Sequence, residues 1–205
     1  MPDGRQKRDM SRFAGSCRFV YNKALALQKE RYEAGEKKLG YVALAKLLTQ
    51  WRASSETSWL ADAPTHPLQQ SLKDLDRAYT NFFAKRADFP RFKNKGTRDI
   101  FRYPDPKQIK LDEPNSRLFL PKLGWMRYRN SRNIQGELRN VTVSLKAERW
   151  SVSIQTRQEV EKPLPKSTNA IGIDMGIVRF ATLSDGSHFA PLHSFKRLET
   201  ALRKK

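Results

Sequence analysis

Ala170-Ile171-Gly172-Ile173-Asp174-Met175-Gly176 is a short apolar run that carries one carboxylate between two glycines. Its length suits a strand and is too short for a helix. Arg179-Phe180-Ala181-Thr182-Leu183 predicts a second strand. Ser184-Asp185-Gly186 has the residues of a hairpin turn, and His188-Phe189-Ala190 predicts the return. Just upstream, Glu161-Lys162-Pro163-Leu164-Pro165-Lys166-Ser167 has the composition of a linker. The sequence therefore predicts a linker over 161–168 and a new domain over 169–205, in which Ser194 is placed to cap a terminal basic helix.

The chemistry of this segment centres on Asp174. A strand fixes the carboxylate rigidly, and small neighbours leave room for a hydrated Mg²⁺ and a phosphate. Two-metal phosphodiester cleavage requires several such carboxylates around ions about 4 Å apart. Sheets of the ribonuclease H-like class open on a segment similar to this one. Sugar-kinase and actin-like sheets open similarly, and an aspartate at a strand end can be a plain turn residue. On this segment alone those readings stay open.

Upstream of the linker, short strands are predicted at Gln108–Leu111, Arg117–Leu120, Leu138–Leu145 and Trp150–Thr156. The last two alternate Val141, Val143 and Leu145 against Val152 and Ile154, with Lys146-Ala147-Glu148-Arg149 as the turn between them. Strands of this length and spacing predict a small β-barrel over 98–160.

Residues 1–97 read as helical. Phe13, Cys17, Val20, Tyr21, Ala24, Leu25 and Leu27 keep a three-four spacing that Gly35 stops. Tyr41, Leu44, Leu48 and Trp51 mark a second helix. Leu68, Leu72, Leu75, Tyr79, Phe82 and Phe83 mark a third, expected to end near Arg86 ahead of Asp88-Phe89-Pro90. The fold class is thus α+β.

Charge is the strongest compositional signal. Among 205 residues, 40 are Lys or Arg against 21 acids, a net charge of +19. A folded chain this basic repels itself unless a polyanion neutralises it, which points to nucleic acid. A ribosomal-type protein is the main competitor. A membrane surface fits less well, because no basic amphipathic helix shows a large apolar face. No run is apolar enough to span a bilayer, and the N-terminus lacks a secretory h-region, so a soluble cytoplasmic protein is expected. Cys17 is the only cysteine, which excludes a disulfide framework and a zinc ribbon within these residues and suits a buried small side chain.

The candidate nucleic-acid-binding residues are Lys85, Arg86, Arg91, Lys93, Lys95 and Arg98, with Arg127, Arg129 and Arg132 as a second group near Trp125 and Tyr128. Arg139 belongs to the same second surface. Cations hold phosphates, and aromatic faces stack on unpaired bases. Phe89 and Phe92, which lie among the cations of the first group, are expected in the core.

Four segments, in order along the chain, resemble the TnpB-type (OrfB-type) insertion-sequence proteins, relatives of the type V CRISPR effectors. Gly15-Ser16-Cys17-Arg18-Phe19-Val20-Tyr21-Asn22 looks like that family's first helix. Leu68 to Tyr79, with Asn81-Phe82-Phe83, is similar to its long helix. Phe89-Pro90-Arg91-Phe92-Lys93 through Gly96 resembles its basic loop. Gly172 to Ile177 with Phe180 to Gly186 resembles its first nuclease motif, and Leu120-Pro121-Lys122-Leu123-Gly124 fits as well.

The resemblance implies a helical recognition module, an OB-like wedge barrel and the opening β-hairpin of a RuvC domain. It also implies a guide RNA, a DNA target, and Asp174 as a catalytic aspartate and the first Mg²⁺ ligand. The family's later Glu, its later Asp and its four-cysteine zinc ribbon have no counterpart among these residues, and its initial strand is represented only from about Pro2. The expectation is a chain shortened at its C-terminus and at its N-terminus, able to bind nucleic acid and unable to cut it. The alternatives are a DNA-binding repressor without enzymatic activity, and an active nuclease completed by another polypeptide.

Overall fold

The first helix starts well before its apolar stripe. In the computed structural model, which describes residues 2–160, 170–193, 196, 198, 199 and 203, α1 spans Gly4–Glu33. Asp3 caps it: its carboxylate accepts from the Gln6 N–H at 2.7 Å, and the Gln6 side chain accepts from the Asp3 N–H at 3.1 Å. This reciprocal box satisfies two otherwise unpaired donors. At the other end Gly35 takes a left-handed φ of 72°. Its N–H bonds to Tyr32 O, and the Glu36 N–H bonds to Arg31 O, which closes the helix.

The helix α2 (Tyr41–Ala53) follows, then a 3₁₀ segment over Ser55–Asp62, then α3 (Thr65–Phe83). The buried Gln28 carboxamide on α1 pairs with both main-chain groups of Leu39, at 2.7 and 2.9 Å, and so fixes the α1–α2 connection. α3 ends at Phe83, one turn short of Arg86. Lys85 occupies the left-handed position, φ 56°, that glycine fills after α1, and the Arg86 N–H bonds back to Asn81 O at 2.9 Å.

Among the described residues, nine strands lie in three antiparallel sheets of three. The first joins β1 (Asp99–Tyr103), β5 (Glu137–Lys146) and β6 (Arg149–Arg157), with β5 central. The second joins β2 (Lys110–Asp112), β3 (Arg117–Leu120) and β4 (Gly124–Arg127). Gln108, expected in β2, instead closes a 3₁₀ turn, Pro106–Gln108. The β5–β6 turn falls on Ala147 and Glu148, both at positive φ (46° and 61°). That conformation suits the right-handed twist of the strands it joins.

Helices and sheets over Met1–Glu159 form one compact unit around a shared hydrophobic cluster. Val20, Leu25, Leu68 and Leu72 from the helices join Tyr103, Val141, Leu118 and Leu120 from the sheets. The expected division at 97/98 marks the change from helix to strand inside this unit. The third sheet belongs to a separate unit, Val160–Lys205. It joins β7 (Ile173–Met175), β8 (Ala181–Leu183) and β9 (His188–Phe189), which fall at the apolar run, the second strand and the return expected from the sequence. The linker expected over 161–168 and the Ser194 cap lie outside the described residues. Among the described residues, no helix is long and apolar enough to cross a membrane.

Candidate nucleic-acid interface

Two side chains on one face of α1, four residues apart, fasten the basic connection between α3 and β1. The Arg18 guanidinium pairs with the Asp99 carboxylate at the start of β1. One turn further on, the Asn22 amide donates to Lys93 O at 3.0 Å and its oxygen accepts from the Lys93 N–H at 2.8 Å. A carboxamide can satisfy both main-chain groups of one residue in this way, so the loop is pinned without a strand partner. The loop over 84–98 is thus fixed by the left-handed cap at Lys85, by Asn22 at Lys93 and by Arg18 at Asp99.

The pinning decides which predicted cations face water. Lys85, Arg86, Arg91, Lys95 and Arg98 are exposed. The Lys93 ammonium instead stands 3.9 Å from the centroid of the Tyr21 ring, and burial pulls its pKa below the usual lysine value. Arg91 lies 3.7 Å from Asp88 in a pair open to solvent on both sides. Such a pair is weak and leaves the guanidinium available.

Phe89 and Phe92 are not in the core. They are 40% and 47% exposed. The buried residue of this loop is Pro90, which lies between exposed Phe89 and Arg91. Phe89 meets Tyr79 and Phe82 edge-on at 5.6 and 5.2 Å. The Lys29 ammonium stands over both exposed rings, 5.6 Å from Phe89 and 4.7 Å from Phe92. Lys29 was not a predicted site residue, because its pairing with the loop crosses more than half of the helical region.

The second predicted group lies around the β4–β5 connection. Arg127 ends β4, and Arg129 and Arg132 follow it, all exposed. Arg139 is exposed on β5 and lies 3.3 Å from Glu137. Trp125 is 45% exposed, with the Arg117 guanidinium 5.5 Å from its ring centroid. Tyr128 is half-buried, and burial of its hydroxyl pushes that group's pKa above the usual tyrosine value.

In the separate unit, Asp174 is exposed on β7, in register with Thr182 of β8. The Gly172 N–H and C=O both bond to Ser184, at 3.0 and 2.8 Å, which closes the sheet beside it. Asp185 is held as a turn residue. The Ser187 hydroxyl and N–H donate to its carboxylate at 2.7 and 2.9 Å and draw its pKa below the usual range. Among the described residues, no three His, Cys, Asp or Glu side chains gather into a metal-holding group. One exposed carboxylate is too small a donor set to hold Mg²⁺ alone, so the residues described do not by themselves fit the ion.

The fold and this surface define a mixed helix-and-sheet protein whose basic loop is clamped to its first helix. A family model for a helix-turn-helix domain of the OrfB/IS605 type matches residues 1–37. In the structure α1 occupies most of that match as one unbroken helix. The chain is 55% identical over 201 residues to the Escherichia coli K12 protein named "Putative RNA-guided DNA endonuclease InsQ", covering 98% of this chain and 50% of that protein. It is 36% identical over 190 residues to a Streptomyces pristinaespiralis protein named "Putative RNA-guided DNA endonuclease", covering 90% of this chain and 46% of that one. It is also 31% identical over 103 residues to "Virulence protein VsdF" of Salmonella dublin, covering 46% of this chain and 87% of that one. The chain belongs to the TnpB/OrfB-type insertion-sequence family. It spans about half the length of the two endonuclease-named relatives.

Proposed function

We propose that this chain is the nucleic-acid-gripping part of an RNA-guided DNA endonuclease. In this reading the unit Met1–Glu159 holds guide RNA and DNA, its helices act as the recognition module, and its two small sheets play the part of an OB-like wedge. The 84–98 loop carries the proposal. Five of its cations face solvent on a backbone clamped by Asn22 and Arg18. A pre-ordered cationic loop loses little conformational entropy when it meets phosphates.

In the same reading β7 to β9 are the opening of a RuvC-like sheet, and Asp174 is one of the carboxylates that hold Mg²⁺ for phosphodiester cleavage. Bound Mg²⁺ ions would neutralise charge on the cleaved phosphate. The residues here contribute one such ligand, so residues 1–205 on their own bind nucleic acid and do not cut it. The test is an assay of the 205-residue chain with Mg²⁺, RNA and matching DNA. Retention of label without cleavage is expected. Cleavage that Asp174→Ala abolishes would instead support a complete centre, alone or with a partner polypeptide.

The helix-turn-helix match favours one second reading, a DNA-binding repressor without enzymatic activity. Sequence-specific duplex binding that is unchanged by removal of RNA would support it. Binding that requires RNA would exclude it.

A further inference from the structure

Apart from the loop cations, the unit Met1–Glu159 exposes aromatic rings along one connected path. A cleft of about 730 Å³ runs beside α1, lined by Arg12, Phe19, Lys23, Trp59 and Phe92 among others. Trp59 is 43% exposed and rests edge-on against Phe19, ring centroids 5.0 Å apart. The half-exposed ring of Phe92 lines the same cleft, and Lys29 connects Phe92 to Phe89 through the shared cation–π contacts. Lys23 adds a cation 5.7 Å from the Phe19 ring. Arg12 pairs with Asp62 at 2.5 Å, the acidic residue of the lining.

Exposed rings of this size are costly in water unless a partner covers them. Alternating flat apolar faces and cations match the two parts of an unpaired nucleotide, its base and its phosphate. A duplex hides its base faces and offers phosphates only, so the rings would add nothing to duplex binding.

We propose that the path from Trp59 through Phe92 to Phe89 is a stacking track for unpaired nucleotides, with bases on the rings and phosphates on Lys23 and Lys29. This rests on the nucleic-acid reading above and adds a site, a ligand class and the residues that select it.

The test compares three ligands by fluorescence anisotropy with the full chain: a base-bearing single strand, an abasic strand of equal length and charge, and a duplex. Trp59→Ala and Phe92→Ala are each expected to weaken the base-bearing strand about tenfold. Abasic-strand and duplex affinities should not change. Trp59→Phe and Phe92→Tyr should restore base-bearing affinity, which separates stacking from misfolding. Equal affinity of the unmodified chain for base-bearing and abasic strands would overturn the track and leave the nucleic-acid reading standing. Binding to none of the three would overturn both. Loss of self-association in Trp59→Ala, with strand binding unchanged, would assign the rings to a second copy of the chain and also overturn the track.

Discussion

The ring of Phe13 on α1 meets the ring of Phe101 on β1 edge-on, with centroids 5.9 Å apart and planes at 84°. Both residues are almost fully buried, and Phe101 goes on to touch Tyr103 and Trp150. This contact joins the helical third of the chain to the first sheet. Phe13→Ala should therefore destabilise helix and sheet together, by about 3–5 kcal/mol. Thermal unfolding followed by helical circular dichroism and by tryptophan fluorescence should move to lower temperature in a single shared step. A sheet transition that stays in place while the helical one shifts would contradict this.

Removal of the Asn22 amide leaves two main-chain groups of Lys93 without their partner. Asn22→Ala should cost about 1–3 kcal/mol and raise amide exchange at Lys93. Nucleic-acid affinity should fall too, although Asn22 carries no charge. Asn22→Asp keeps the acceptor and loses the donor, so it should lie between Ala and the natural residue. Unchanged exchange at Lys93 in Asn22→Ala would show that the clamp does not hold the loop.

Much of this arrangement was readable and some was not. Leu138–Leu145 and Trp150–Thr156 alternate cleanly and became β5 and β6 with small changes at the ends. The stretch before Phe13 is polar apart from Met10, so periodicity missed the first turns of α1, which the Asp3 and Gln6 cap could have revealed. β1 was missed because only Phe101 and Tyr103 of its five residues are buried, too short an alternation to stand out beside the basic loop before it. The end of α3 was placed late because Lys85, not glycine, takes the left-handed position. The clamps of the site join residues 71 and 81 positions apart, beyond the reach of any local pattern. Resemblance drew attention to both partners of the Asn22 clamp but gave no contact between them.

The predicted cations should separate by exposure. Replacing Arg91, Lys95 and Arg98 together by Gln should weaken binding to duplex DNA and flatten its salt dependence by about 0.9 in log–log slope per lost phosphate contact. Lys93→Met should change that slope little, because its ammonium already lies on Tyr21. It should also hold or raise the melting temperature, since burying that charge is costly. A slope change as large as that of an exposed cation would place Lys93 among the phosphate contacts.

Cys17 is buried, and burial pushes its thiol up to about 12. It should resist thiol reagents in the native chain at pH 8 and react fully on unfolding. The unfolded thiol ionises near pH 8.5. The folded chain keeps its proton longer, so the contribution of Cys17 to stability is complete below about pH 8.5 and falls as pH rises towards 12. Cys17→Ala should remove that alkaline component in denaturant titrations at pH 8 and pH 10. An identical pH dependence in the variant would contradict it.

Whether the clamped cationic loop grips nucleic-acid phosphates is tested most directly by the affinity of the 205-residue chain for RNA and DNA across a salt series, beside the Arg91, Lys95 and Arg98 triple variant. We predict a linear fall of log affinity with log salt, shallower in the variant. Affinity that ignores salt, or a slope that the triple substitution leaves unchanged, would contradict the account.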